Sequence, residues 1–393
     1  MGGAAGYMRR VKVVRAVAAV VVAFWAVEGV AAQDQPPVGT VFGPINTMDA
    51  RIRVEVVATG LEVPSSLAFL PDGNALICER PSGRMSLLDL ATGDRIPIEG
   101  VPLVFGENDA GLHDVILHPD YAINHLIYFS YSEKAATGSG SVTVVDRARL
   151  NSTHLEDRER LFTAVPSGDT AYHYGGRLVL QNGYLFITVG EREERYRAQD
   201  LDSDNGKVLR LFEDGRVPSD NPFVNRAGAR PEIWSYGHRN PQGLSVRPET
   251  GDLWEDEHGP KGGDEVNLIR PGLDYGWPIV TYGREYSDET IGDGITWKEG
   301  MEQPIYYYVP SIAPSDMLFY TGSAFPQWRG NLFIGAMAKR HLNRLVLQGN
   351  RVVREERILG GRGWRVRVVK QGPDGFLYLG VDQGMLLRIR PAD

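Results

Sequence analysis

Three short stretches carry residue types whose spacing can do chemistry. In Tyr172-His-Tyr-Gly-Gly-Arg-Leu178, His173 stands in a polar, glycine-rich segment just before an apolar strand. With an ordinary pKa of ~6.5, it can accept a proton near neutral pH. Taken alone, His173 reads more readily as a loop histidine bonded to a backbone carbonyl. In Ser235-Tyr-Gly-His-Arg-Asn-Pro-Gln-Gly-Leu244, the Arg239-Asn240 pair precedes a proline that pushes the backbone extended. It offers a fork of donors to carboxylate or carbonyl oxygens, although an isolated pair of this kind often ends in a surface salt bridge. In Glu257-His-Gly-Pro-Lys-Gly-Gly-Asp-Glu-Val-Asn-Leu268, Gly259 and Pro260 can turn their carbonyls toward a hard cation. A further, basic group comprises Lys339, Arg365 and Arg367; the two arginines are two apart and share a face if that segment is a strand. Such arginines are commonly solvated, but here they can grip an anion. Asp200-Leu-Asp-Ser-Asp-Asn-Gly206 imitates the start of an EF-hand loop, yet its glycine falls one place late and Leu211 replaces the closing acid, so it reads as a polar loop.

The elements that must position these groups recur. Six times an apolar strand, a turn rich in Pro, Asp, Asn or Gly, and a second apolar strand follow one another, beginning at Ser66, Val115, Leu178, Leu244, Ser323 and Val369. Asn-Gly and Asp-Gly turns between such strands are strong hairpin signals. Six hairpins without a sustained helical period predict an all-β fold: a six-bladed β-propeller of four-stranded antiparallel blades over residues 51–393. A large β-sandwich is the alternative, but it does not need the same hairpin six times. Residues 33–50 form either a mobile lead-in or part of the closing blade. No linker marks a domain boundary.

Residues 1–32 read as a secretory signal: Arg9, Arg10, Lys12 and Arg15 precede the apolar run Ala16 to Ala26, and small residues follow at Gly29-Val-Ala-Ala32. The run is short of the ~20 residues a membrane span needs, so the expectation is a periplasmic or secreted protein with no stable span after cleavage. Cleavage takes away four basic groups and one acid, moving the net charge from −8 to about −11. An acidic protein of this kind is no general polyanion binder, which excludes nucleic acid as a partner. The single cysteine, Cys78, lies in an apolar stretch and leaves no internal disulfide.

From Leu61 to Ile389 the chain resembles the soluble PQQ-dependent sugar dehydrogenases, nearest their aldose sugar dehydrogenase branch, through the His173 to Leu178 motif, the Gly237 to Leu244 string, Phe-Pro-Gln-Trp at 325–328 and Gln-Gly-Pro-Asp-Gly at 371–375. The resemblance implies PQQ and Ca2+ as cofactors, a sugar substrate and an external electron acceptor. It implies His173 as general base, with Arg239 near the reactive carbonyl of PQQ. Arg239, Asn240, Tyr286, Lys339, Arg365 and Arg367 are the implied cofactor contacts, and Gly259, Pro260, Glu265 and the Tyr275 backbone the calcium ligands. Three positions depart from the pattern. Asp109 replaces a cofactor-contacting glutamine, Val309 an aromatic residue beside the sugar, and Asp256-Glu257-His258 is more charged than the glutamine-bearing form. Two rivals stand beside this reading: a calcium-dependent lactonase, and a non-catalytic propeller binding glycan or protein with a decayed cofactor site.

Overall fold

At Asn182-Gly183 both residues take positive φ (53° and 79°), the backbone of a type I′ turn. That turn joins Gly175–Gln181 to Tyr184–Val189 as an antiparallel hairpin. Gly73, Gly251 and Gly375 likewise hold positive φ at the corresponding turns. A computed structural model describes residues 35–392, and in it such hairpins open six antiparallel sheets. The first strands of blades I to VI are Pro64–Phe69, Leu112–Leu117, Gly175–Gln181, Pro241–Val246, Pro314–Phe319 and Val366–Gln371. Each contacts the first strand of the next, and that of blade VI returns to that of blade I. The ring is a six-bladed β-propeller.

Blades I to V have four strands in chain order, whereas blade VI is closed by the N-terminal segment. Arg51–Ala58 pairs with Met385–Pro391, and Val41–Asn46 adds a fifth strand outside it. Residues 41–46 thus belong to the closing blade. The fifth hairpin begins earlier than its sequence pattern suggested. Its first strand is Pro314–Phe319, and Pro326–Trp328 is a 3-10 turn in the connection. The proposed signal segment lies outside the described residues. Among those described, no helix is long and apolar enough to cross a membrane.

Apolar side chains fill the spaces between blades, for example Leu185, Ile187, Leu209 and Ile233 of blade III against Tyr128 and Val145 of blade II. The central channel is polar instead. Arg177 lies 3.1 Å from Asp114 and 3.7 Å from Asp316, and Lys370 is 2.9 Å from Asp316. Every first strand also shifts register near its start: between Pro64/Ser66, Leu112/Asp114, Gly175/Leu178, Pro241/Gly243, Pro314/Met317 and Val366/Val368. Such bulges re-aim side chains. Here they turn Ser65, His113, Arg177, Gln242, Ser315 and Arg367, one from each blade, into a single cavity at the channel's end.

Candidate active site

Loops of two kinds meet at that end: those leading into first strands, and those joining second to third strands. His173 sits in the first kind, at positive φ (56°), immediately before Gly175–Gln181. Glu191 follows the second strand of the same blade, and its Oε1 is 2.8 Å from His173 Nδ1. The Glu191 amide donates to the Arg239 carbonyl at 2.8 Å, which ties this pair to blade IV. Asn240 Oδ1 accepts from the Gly175 amide at 3.3 Å. Gly190 passes between: a Cβ there would lie 2.2 Å from the His173 carbonyl oxygen.

Burial governs the charges. Desolvation, followed by the positive Arg239, pushes the His173 pKa well below the usual imidazole range. Desolvation lifts Glu191 to about 7 against the pull of Arg239, Arg195 and Arg192. The imidazole is therefore neutral across the physiological range. When Glu191 is ionised it accepts Nδ1–H, and the lone pair falls on Nε2. The arrangement is a neutral base with its tautomer fixed from behind.

Arg239 faces the second turn of blade IV. Its Nη1 donates to the carbonyls of His258 (3.1 Å) and Gly259 (3.0 Å), its backbone N–H donates to Glu257, and its guanidinium lies 5.4 Å from the Trp277 ring centroid. The turn requires glycine, since a Cβ on Gly259 would stand 2.3 Å from the Gly262 oxygen. It presents the His258 and Gly259 carbonyls to the Arg239 guanidinium. Glu265 is engaged elsewhere on the blade, by the Asn267 amide at 3.3 Å. The Tyr275 ring is buried against His238 at 4.7 Å. Tyr286 is 74% exposed. Its segment is pinned to the glycine turn by the bridge between Lys261 and Arg284.

The basic group converges on a carboxylate that the sequence pattern did not reveal. Arg367 grips both oxygens of Asp382 (2.5 and 2.9 Å), and Arg365 Nε donates to the same group at 2.9 Å. Burial opposes ionisation of Asp382, but Arg367 and Arg365 hold its pKa down to about 2. Arg365 also donates to the Met337 carbonyl (3.2 Å), which places the exposed turn bearing Lys339 beside it. From blade I, Arg80 approaches Asp109 at 3.6 Å and lines the cavity with Arg367. Asp109 therefore has a cationic partner. Val309 is 62% exposed at the rim, and His258 Nε2 donates to the Pro314 carbonyl at 2.6 Å.

Glu191, Arg80 and Asp382 are the site residues missed at the sequence level. Glu191 opens the charged run 191–195, which reads as a solvated turn; only its place after a second strand of a blade, the same place as Arg80 and Asp382, distinguishes it. The EF-hand-like segment has its own explanation. Lys207 Nζ, buried, donates to the carbonyls of Arg197 (2.7 Å), Ala198 (3.1 Å) and Asn205 (2.7 Å). An ammonium tethered to the chain organises this loop.

Known proteins share this architecture. A family model described as Glucose / Sorbosone dehydrogenase matches residues 61–388. The chain is 42% identical over 351 residues to aldose sugar dehydrogenase YliI of Escherichia coli K12, covering 87% of this chain and 94% of that protein. The crystal structure of the soluble E. coli aldose sugar dehydrogenase in the apo-form superposes with a TM-score of 0.84, over 87% of this chain and 100% of that one. The PQQ-bound aldose sugar dehydrogenase of Streptomyces coelicolor is 28% identical and superposes with a TM-score of 0.70, over 87% and 98%.

Proposed function

Because the chain belongs to the glucose/sorbosone dehydrogenase family, we propose that it is a sugar dehydrogenase that uses PQQ and Ca2+ to oxidise aldoses or related hydroxy-aldehydes and passes the electrons to an external acceptor. The observation that carries this reading is the His173–Glu191 pair lying against Arg239 at the mouth of a cation-rich cavity. The residues fit the cofactor. Arg80 faces Asp109, Arg365 and Arg367 share Asp382, and with Arg239 and Lys339 the cations outnumber these two carboxylates, which suits a tricarboxylate. Carbonyls at the Gly259-Pro260 turn suit a hard cation, and the family resemblance adds Glu265 and the Tyr275 backbone as further ligands.

When bound, PQQ supplies a quinone that accepts hydride, and calcium polarises it. His173 Nε2 takes the proton from the anomeric hydroxyl while Glu191 holds Nδ1–H and stabilises the positive charge that develops on the ring. Arg239 would supply its guanidinium to the negative charge that grows on the acceptor. Arg365, Arg367 and Lys339 fix orientation, and Asn240 and Tyr286 are further contacts. Such roles are positioning and electrostatics, the protein's share in cofactor chemistry. Arg177 and Lys370 among the carboxylates of the channel speak against a lactonase metal there. Export through residues 1–32 to the periplasm or medium is part of the same proposal.

The test is reconstitution of purified apoprotein with PQQ and Ca2+, followed by a screen of aldoses with a dye acceptor. Turnover by the wild type, with PQQ bound but turnover lost in His173→Ala, is expected. Reconstituted protein that reduces no dye with any aldose points to the non-catalytic reading, and unchanged turnover in His173→Ala removes the assigned base.

A further inference from the structure

The second and third strands of blade IV, Leu253–Glu257 and Asp264–Ile269, pair Glu257 with Glu265 and Glu255 with Asn267. Four polar side chains thereby share one face of a buried sheet. The Asn267 Nδ2 serves three carboxylates at once: Glu255 Oε2 at 3.2 Å, Glu257 Oε1 at 3.3 Å and Glu265 Oε2 at 3.3 Å. From the loop before Arg239, His238 brings its Nδ1 to 3.2 Å from Glu257 and 3.9 Å from Glu255, while its Nε2 meets Ser235 Oγ at 2.9 Å. The adjoining Arg239 guanidinium turns away to the His258 and Gly259 carbonyls.

Two atoms in this cluster have nothing to bond. Glu255 Oε1 and Asn267 Oδ1 are buried without a hydrogen-bond partner, and both residues are wholly inaccessible. A buried acceptor left unmatched is costly. So is the approach of several carboxylates with one amide between them. A cation removes both difficulties together, because rotating the Asn267 amide by a half turn brings Oδ1 toward the carboxylates. The ligand atoms of His238, Glu255 and Glu257 already lie within 4.8 Å of one another, close enough for a single ion.

We infer that His238, Glu255 and Glu257, completed by Asn267 Oδ1, form a buried site for a divalent cation, separate from the Gly259 and Pro260 carbonyls. Oxygens outnumber the single imidazole nitrogen, so the ion is of the Ca2+ or Mn2+ class. The site has a structural consequence beyond itself. Glu257 also accepts the Arg239 backbone N–H, so an ion that fixes this carboxylate fixes the start of the Arg239 loop.

The experiment uses the full chain stripped with EDTA and dialysed, without PQQ, and then exposed to Ca2+ or Mn2+ alone. Bound metal is counted by elemental analysis and, for Mn2+, by electron paramagnetic resonance, with Tm measured in parallel. Glu255→Gln lies outside the residues assigned to PQQ and its calcium, so the two readings fail separately. The wild type should bind one equivalent more than Glu255→Gln and show a cation-dependent rise in Tm that the variant lacks. Asn267→Asp, which adds a charge to the donor set, should bind Mn2+ at least tenfold more tightly than wild type and guards against a Glu255→Gln protein that does not fold. Equal metal content in wild type and Glu255→Gln, or Mn2+ affinity unchanged in Asn267→Asp, overturns the inference and leaves a cluster held together by protons.

Discussion

Replacing Glu191 by glutamine separates the role of this carboxylate in catalysis from its cost to the fold. Glu191 is buried, one oxygen on His173 Nδ1 at 2.8 Å and the other without a partner, and its pKa is raised to about 7 by desolvation. Ionised, it accepts Nδ1–H and leaves Nε2 free to take a proton. Protonated, it donates to Nδ1 and forces hydrogen onto Nε2, the wrong tautomer. Only about a tenth of the protein is correctly set at pH 6, and about nine-tenths at pH 8, so kcat should rise roughly tenfold between them. The titrating group behind that rise is Glu191, because His173 is held neutral throughout.

Stability runs the other way. The folded pKa of Glu191 lies above its unfolded value near 4.5, so the folded state binds the extra proton between pH 4.5 and about 7. Stability is lost as pH rises through that window, by about 3 kcal/mol once the carboxylate is fully ionised. Glu191→Gln removes this deficit. It should lower kcat by ~10²–10⁴ at pH 8, abolish the rise near pH 7, and raise Tm at pH 8 while matching the wild type near pH 5. Steady-state kinetics across pH with reconstituted protein, thermal melts at both pH values, and ring-nitrogen NMR of His173 in the apoprotein supply the measurements. A variant that keeps the rising profile, or that loses activity and Tm together at pH 8, refutes the reasoning.

Asp109→Gln removes the carboxylate that faces Arg80 across 3.6 Å at a partly exposed position. PQQ should bind more tightly, by up to roughly fivefold for a screened charge worth up to about 1 kcal/mol, as read by fluorescence titration of the apoprotein; weaker binding would mean that the pair orients Arg80 productively. Lys207→Met leaves the Arg197, Ala198 and Asn205 carbonyls without their donor and should cost on the order of 2–4 kcal/mol in urea unfolding, with Tm lowered. An unchanged midpoint would show that water replaces the ammonium.

The propeller was legible because hairpin chemistry is local. Asn182-Gly183 demands its turn whatever surrounds it, and the apolar strands on either side do the rest. Where the reading slipped, the cause is also local. Phe325 and Trp328 are almost wholly buried in a 3-10 turn, so they imitate a strand, while the true first strand of blade V carries Ser315 and Asp316 toward the polar channel and loses the apolar signature. Residues 41–46 are largely exposed at a sheet edge and carry no burial pattern at all. In the site, His173, Arg239 and Asn240 announce themselves through their motifs. Arg80, Glu191 and Asp382 acquire meaning only through partners on other strands or loops, at Asp109, His173 and Arg367, and no spacing along the chain encodes that.

Asp382 looks at first like an obstacle to any anion, since it occupies the two arginines expected to hold one. The geometry argues the reverse. Arg367 spends Nε and Nη2 on Asp382, and Arg365 spends Nε on it and Nη1 on the Met337 carbonyl. Each guanidinium keeps one terminal nitrogen for a ligand, and its plane is already set. A flexible arginine loses side-chain entropy when it binds; one clamped by a half-buried carboxylate has lost it on folding. The register shifts at the head of every first strand make this possible, because they deliver Arg367 and five counterparts to one cavity from a rigid sheet edge. Ligand charge then meets donors fixed in advance, which is the condition under which electrostatic stabilisation is strongest.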